Sequence, residues 1–286
     1  MNKTMIIDFH THTFPDKIAA AAIEKLSGLS HTRPFSDGTA VGLAASAKDA
    51  GIDLSVILPV ATNTKQVPDI NDYAAKTNET TETIGLLSFG CIHPDFSGWK
   101  EELSRIALLG LKGIKLHPVY QDVNFDDPRY LRILERAGEL GLIVVTHSGL
   151  DIGYPDVERC TPKMIFNAVK QVGPVKLVLA HMGGWRQWDS AEELLAGQPV
   201  WFDTSFSAGE ITPLDGGYYS PEELPMLDET DFLRMIHTFG TDRVIFGTDS
   251  PWSDQKASID LIRMLHLEND EEEAVLGGNA CRLLQI

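Results

Sequence analysis

The residues with chemistry to offer are mostly imidazoles. His10 and His12 stand in the run Asp8-Phe-His-Thr-His12, one residue apart. Alternate side chains of a strand share a face, so both rings point the same way and offer half of a metal site. Alone, such a pair is equally a hydrogen-bonded couple; further donors decide. His147 (Val-Val-Thr-His), His181 (Val-Leu-Ala-His-Met-Gly-Gly) and Asp249 (Ile-Phe-Gly-Thr-Asp) each close an apolar run, where an unpaired polar group is costly to bury. Gathered in one place, these imidazoles and the carboxylate suit Zn2+ or a similar divalent ion with an open position. Lys115 and His117 are two residues apart and share a strand face. Lys115 has three readings: a carboxylated ligand bridging two ions, a cation gripping a substrate carboxylate, or a lysine paired with a buried acid.

Positioning these residues requires strands that converge. Eight short runs rich in Val, Ile, Leu and Phe read as strands: Met5–His10, Leu54–Pro59, Ile84–Ile92, Gly113–His117, Ile143–His147, Leu177–His181, Val200–Thr204 and Arg243–Asp249. Such runs suit a parallel sheet buried on both faces. Amphipathic segments lie between them. Asp127-Pro128 opens one and Gly141 stops it; Thr161-Pro162 opens another, with Gly173 after it; Ser253 is the expected cap of a third, following the usual cap, proline and glycine punctuation. Eight β/α units at about 36 residues each predict a closed (β/α)8 TIM barrel, a single domain over residues 1–286. The rival open sheet lacks a GxGxxG or P-loop signature. Six of the nine histidines (His10, His12, His93, His117, His147 and His181) fall at or just beyond predicted strand ends, the face that carries barrel active sites. Closure places strand eight beside strand one, and so Asp249 beside His10 and His12.

Composition narrows the partners. Lys plus Arg is 24 and Asp plus Glu is 41, a net charge of −17, which argues against nucleic acid or an anionic membrane as the main partner. Three cysteines, Cys91, Cys160 and Cys281, are too few and too scattered for a disulfide framework. The N-terminus has no secretory pattern and no run approaches a membrane span; a cytoplasmic protein is expected, with a homodimer as the general expectation.

The pieces Asp8-Phe-His-Thr-His12, Gly113-Ile-Lys-Leu-His-Pro118, Thr146-His147, Leu179-Ala-His-Met-Gly-Gly184, Phe246-Gly-Thr-Asp-Ser-Pro251 and Gly278-Asn-Ala-Cys-Arg-Leu-Leu284 resemble the amidohydrolase superfamily. More narrowly, they are similar to its amidohydrolase-related group, which includes aminocarboxymuconate-semialdehyde decarboxylase and aromatic-acid decarboxylases. The resemblance implies that His10, His12, His147 and Asp249 hold one divalent ion. Zn2+ is the expected ion, although Mn2+, Fe2+ or Co2+ suit the same donors. It also implies that His181 is an acid/base or polarising group. The group's decarboxylases often carry Glu at the position of His10, so His10 leaves hydrolysis open without excluding decarboxylation.

The leading expectation is hydrolysis of a small organic amide, lactone or ester by a metal-activated water, with Asp249 moving the proton. The alternative is non-oxidative decarboxylation of an unsaturated or aromatic acid. A TatD-like phosphodiesterase fits less well, because Lys115 stands where an acidic ligand is expected there. A non-catalytic barrel would show missing ligands, and none is missing. Lys115, His117, Arg186 and Trp252 are the expected substrate-binding residues, and Arg33 is a further candidate receptor for a substrate carboxylate. Trp185 and Trp188 either line the pocket or pack on the barrel rim. His31 is a loop residue able to line the pocket, His93 a structural one; His237 and His266 lie on predicted helices away from the chemistry. The stretch Ser207–Leu227 is either a lid or a surface excursion.

Overall fold

The computed structural model describes residues 5–286; residues 1–4, the first part of the N-terminal run read above for targeting, lie outside that range. Among the described residues nine parallel strands follow one another: β1 (Ile7–Thr11), β2 (Leu54–Ile57), β3 (Leu86–Ser88), β4 (Gly90–Cys91), β5 (Gly113–Leu116), β6 (Ile143–Thr146), β7 (Lys176–Leu179), β8 (Trp201–Asp203) and β9 (Val244–Ile245). They form two ladders, β1-β2-β3 and β4 through β9 in order. β3 and β4 are halves of one stave, interrupted at Phe89, whose N–H still donates to Ile57 O at 2.9 Å. The remaining seam closes where Phe9 N–H donates to Phe246 O at 2.9 Å and Asp249 N–H to His10 O at 2.8 Å. The result is the eight-stave barrel that the alternation of elements predicts.

Two departures from the expected strands have physical causes. The run Ile84–Ile92 does not pair as one strand, because Ile84 ends the helix Thr81–Ile84. Beyond the break, the Asn71 amide takes over part of the ladder's work, accepting Cys91 N–H at 2.7 Å and donating to Cys91 O at 3.1 Å. The run Arg243–Asp249 pairs in the ladder only at Val244–Ile245; the rest bends over β1. A third feature was not expected at all. Ile7 and Asp8 pair with Leu54 and Ser55, but Thr11 pairs with Ile57, so β1 carries one extra residue. Such a bulge re-aims side chains, and bulges recur beside active sites. Here Phe9 joins Phe89, Val145, Val178 and Ile245 in the cluster that fills the barrel. His10 nevertheless turns toward Lys115 of β5 and Asp203 of β8.

The outer layer is built from amphipathic helices. Pro128–Glu139 buries Tyr130, Ile133, Leu134 and Ala137, and Asp127 caps it by accepting Arg129 N–H. Thr161 caps Pro162–Gln171 through Met164 N–H. For Gln255–Met264 the cap is Asp254, which accepts Ala257 N–H, rather than the expected Ser253. Asn279 ties the closing helix to the barrel floor by donating to Thr241 O and Val244 O. Among the described residues no helix is long and apolar enough to cross a membrane.

Asp127 yields a stability prediction. Hydrogen bonds from Arg129 hold its carboxyl at about 2, below its ordinary value. A depressed acid contributes stability that is present above its unfolded pKa and is lost as pH falls through the folded value. Asp127→Ala should lower unfolding stability in urea by about 1 kcal/mol at neutral pH. Asp127→Asn should keep most of the cap while flattening the loss between roughly pH 4 and 2.

Candidate metal centre and binding mouth

The polar groups at the barrel's C-terminal end are held by one another. His10 Nδ1 lies 2.8 Å from Asp203 Oδ2, and Ser205 Oγ is 2.9 Å from the same nitrogen. Asp203 is fully buried and also accepts the N–H groups of His181 at 3.1 Å and Ser205 at 3.0 Å. Burial alone would raise its carboxyl; His10 beside it outweighs this and holds it at about 2. An ionised Asp203 fixes the His10 proton on Nδ1 and leaves a lone pair on Nε2. His12 is set the same way, since its Nδ1 donates to the Leu58 carbonyl at 2.9 Å.

Those two Nε2 atoms face each other at 3.1 Å, and Asp249 Oδ1 lies 3.3 Å from the first and 3.0 Å from the second. Burial would raise Asp249 too, but His10 and His12 keep it well below the usual carboxylate range. Burial, reinforced by Lys115, pushes His10 down to about 4. Three lone-pair donors without a proton among them therefore converge, each ligand atom within 4.8 Å of the others. Such a set repels itself until a cation enters it. Imidazoles whose far nitrogens donate to a carboxylate and a carbonyl are the arrangement divalent ions select. Among the described residues, the N–H that reaches the set is Lys115 Nζ, 3.1 Å from His10 Nε2. Burial lowers this lysine to about 8, with Asp203 and Asp249 opposing, so it remains cationic at neutral pH.

The same proton accounting sorts the other histidines. His147 Nε2 donates to Leu150 O at 3.1 Å, which leaves Nδ1 as a lone pair. His181 Nδ1 donates to Ser205 O at 2.9 Å, so its Nε2 is a lone pair as well, 3.1 Å from His147 Nδ1. His117 differs. Its Nδ1 accepts Tyr120 N–H at 3.4 Å, which places the proton on Nε2 and makes it a donor. His117, His147 and Asp151 have metal-like spacing, but this tautomer removes His117 as a ligand. Burial lowers His117 and His147 well below their usual value, and it raises Asp151 to about 7.

His181 and Asp249 adopt left-handed backbone, at φ 59° and 67°. Non-glycine residues there cost of order 1–3 kcal/mol and collect at functional sites. The Asp203 carboxylate holds His181 N–H, and His10 O holds Asp249 N–H.

The expected residues are thus mostly brought together. His10, His12 and Asp249 form one set; Lys115, His147, His181 and His117 adjoin it. Trp252 donates its backbone N–H to Asp249 O and packs half-buried at the rim. Arg186 goes elsewhere: at φ 61° it turns outward, its guanidinium 5.6 Å from the Trp185 ring centre. There it lines an outer groove of about 540 Å3 with Glu158, Lys163, Asp231 and Arg234, apart from the imidazoles. Arg33 is exposed. Trp185 is buried against Phe206, and Trp188 Nε1 donates to His181 O. His93 accepts Asp95 N–H in a turn. His31 stacks on Tyr218 at 3.5 Å, and the stretch 207–227 is pinned to its loop by Leu214 N–H to His31 O and Tyr219 Oη to Ser30 O. His237 and His266 are surface residues. Sequence reasoning missed Asp203, Ser205 and Asp151. Asp203 ends an apolar run as Asp249 does, so the same rule would have found it. Asp151 lies in a loop and carries no such signal.

The family model for amidohydrolases matches residues 7–286. The chain belongs to the amidohydrolase family. Its barrel is similar to an uncharacterised TIM-barrel protein of Bordetella bronchiseptica, at 17% identity and TM-score 0.73 over 98% of each chain. It is also similar to 5-carboxyvanillate decarboxylase of Sphingomonas paucimobilis, at 18% identity and TM-score 0.68 over 99% of this chain and 100% of that one. A putative 2-pyrone-4,6-dicarboxylic acid hydrolase of Pseudomonas putida aligns at 19% identity and TM-score 0.66, over 99% and 98%. No curated protein sequence matches the chain. At these identities the structures establish the fold that this amidohydrolase shares with both hydrolases and decarboxylases.

Because Asp203 orients His10, Asp203→Asn should weaken divalent-ion binding by about 10–100-fold, measured by calorimetric titration with Zn2+, while the far-ultraviolet circular dichroism stays unchanged.

Proposed function

We propose that this amidohydrolase hydrolyses a small organic lactone, ester or amide that carries a carboxylate. The observation that carries the reading is Asp249: an ionised carboxylate, partly open to solvent, within reach of two oriented imidazole lone pairs. His10, His12 and Asp249 would hold a divalent ion, most simply Zn2+, and His147, whose Nδ1 lone pair is kept by the Leu150 bond, would be a fourth protein donor. Such an ion supplies an electrophile for a substrate oxygen and lowers the pKa of water.

The chain's own groups do the rest. Asp249 offers Oδ1 to the donor set and leaves Oδ2 to accept a proton and return it to the leaving group. His181, neutral and presenting Nε2 to the same space, carries or receives a proton there. Lys115 Nζ on β5 and the His117 Nε2–H just beyond that strand's end are donors two residues apart, suited to a substrate carboxylate. Tyr120 stacks on His117 at 3.8 Å and Tyr154 meets Tyr120 edge-on at 5.8 Å, giving the mouth aromatic walls.

Decarboxylation is the second reading, and Asp151 is the observation that favours it. A carboxyl raised to about 7 by burial holds a proton near neutrality, as protonation of a carbon requires. A screen of metal-loaded protein against lactones, esters and amides, and against unsaturated and aromatic acids with CO2 detection, separates the two. Hydrolysis without CO2 release is expected; CO2 release with no hydrolytic product would overturn it. On whichever substrate turns over, Asp249→Asn should lower kcat by about 100–10,000-fold with a smaller change in KM.

A further inference from the structure

Asp8 is a wholly buried carboxylate that the reaction outlined above does not use. Its Oδ1 accepts two backbone N–H groups, from His10 at 3.2 Å and from Thr248 at 3.0 Å. Its Oδ2 accepts the Thr248 hydroxyl at 2.6 Å and the Gln255 amide at 2.7 Å. The Thr248 hydroxyl in turn accepts Ser250 N–H at 3.1 Å. One carboxylate thus holds His10 directly and, through Thr248, anchors the residues on both sides of Asp249.

The β1 bulge explains why such a clamp is needed. Between the pairs Asp8–Ser55 and Thr11–Ile57, β1 has two residues and β2 has one. A bulge disrupts the ladder locally, and a buried N–H left without an acceptor costs about as much as a lost hydrogen bond. Asp8 Oδ1 supplies the acceptor for His10, and the same oxygen reaches across the seam to Thr248. The seam is tight at this level: a Cβ on Gly247 would stand 2.9 Å from His10 Cβ. The backbone bond from Asp249 N–H to His10 O fixes one distance there. The Asp8 carboxylate, bonded once to His10 and twice to Thr248, fixes the orientation as well. Asp249 sits in left-handed backbone at φ 67° between the two anchors.

We propose that Asp8 is a positioning residue of the donor set: through His10 N–H and Thr248 it sets how His10 Nε2 and Asp249 Oδ1 stand to each other, and with that the affinity and geometry of the divalent-ion site. The inference rests on the reading of His10, His12 and Asp249 as metal ligands. Its role differs from that of Asp203. Asp203 turns the His10 ring, whereas Asp8 sets the backbone that carries the ring against the backbone that carries Asp249.

Metal binding tests it without turnover. Zn2+ is titrated calorimetrically into metal-free wild type, Asp8→Ala, Thr248→Val and Gln255→Ala. The visible absorption of each Co2+-loaded form is recorded, with urea unfolding of the metal-free proteins as the structural control. Asp8→Ala should bind Zn2+ about 10–100-fold more weakly than wild type and shift the Co2+ bands. Thr248→Val removes only the hydroxyl between Asp8 and Ser250, and should weaken binding by about 10-fold. Gln255→Ala removes a bond to the same carboxylate but none to His10 or Thr248. It should lose stability while its Zn2+ affinity and Co2+ bands stay those of wild type. Wild-type affinity in folded Asp8→Ala or in Thr248→Val overturns the proposal. So does a Gln255→Ala variant that binds as weakly as the others, since loosened packing would then account for all three. Wild type that binds no Zn2+ removes the metal site itself, a failure of the underlying reading and distinct from the others.

Discussion

The hydrogen bond from His10 Nδ1 to the Asp203 carboxylate, 2.8 Å long and fully buried, is the constraint on which the site depends. It joins β1 to β8, two staves from distant parts of the chain. It also decides which imidazole nitrogen keeps its lone pair. The remaining oxygen of Asp203 holds Ser205 and the strained His181 backbone. One carboxylate thus sets the His10 ring and the His181 backbone, and the barrel's closure brings the Asp249 carboxylate to His10 and His12. Each separation at the seam is set by backbone bonds, Asp249 N–H to His10 O and His12 N–H to Ser250 O, so the donor set is a product of the fold rather than of flexible side chains.

Proton placement then divides the mouth into two halves. On one side His10, His12, His147 and His181 turn lone pairs inward, because carboxylate or carbonyl acceptors hold their other nitrogens. On the other side Lys115 and His117 turn protons inward. Burial lowers His10, His117, His147 and His181 and keeps them neutral at physiological pH. The first half offers acceptors to a cation and the second offers donors to an anion. This ordering explains why the spacing of His117, His147 and Asp151 alone is a poor guide to a ligand set.

Much of this was legible in the sequence, and the exceptions are physical. Apolar runs ending in His or Asp marked the staves and their active ends, since a buried parallel strand has no other place for such groups. The barrel followed from their number and spacing. The β1 bulge left no trace in composition, yet it alone reconciles Phe9 in the barrel interior with His10 at the mouth. The break at Phe89 depends on Asn71, contributed by a distant helix. Arg186 looked like a carboxylate receptor because it follows His181 closely, but a left-handed residue at that point turns the chain outward. Asp151 and the tautomer of His117 required coordinates, because loops and protons are fixed by partners rather than by periodicity.

The central claim is that His10, His12 and Asp249 share one divalent ion. The most direct test is anomalous diffraction at the zinc edge from crystals of the Zn2+-loaded protein. The account predicts a peak about 2.0–2.2 Å from His10 Nε2, His12 Nε2 and an Asp249 oxygen. A fully loaded crystal whose anomalous density lies elsewhere, with those three donors left facing one another, would contradict it.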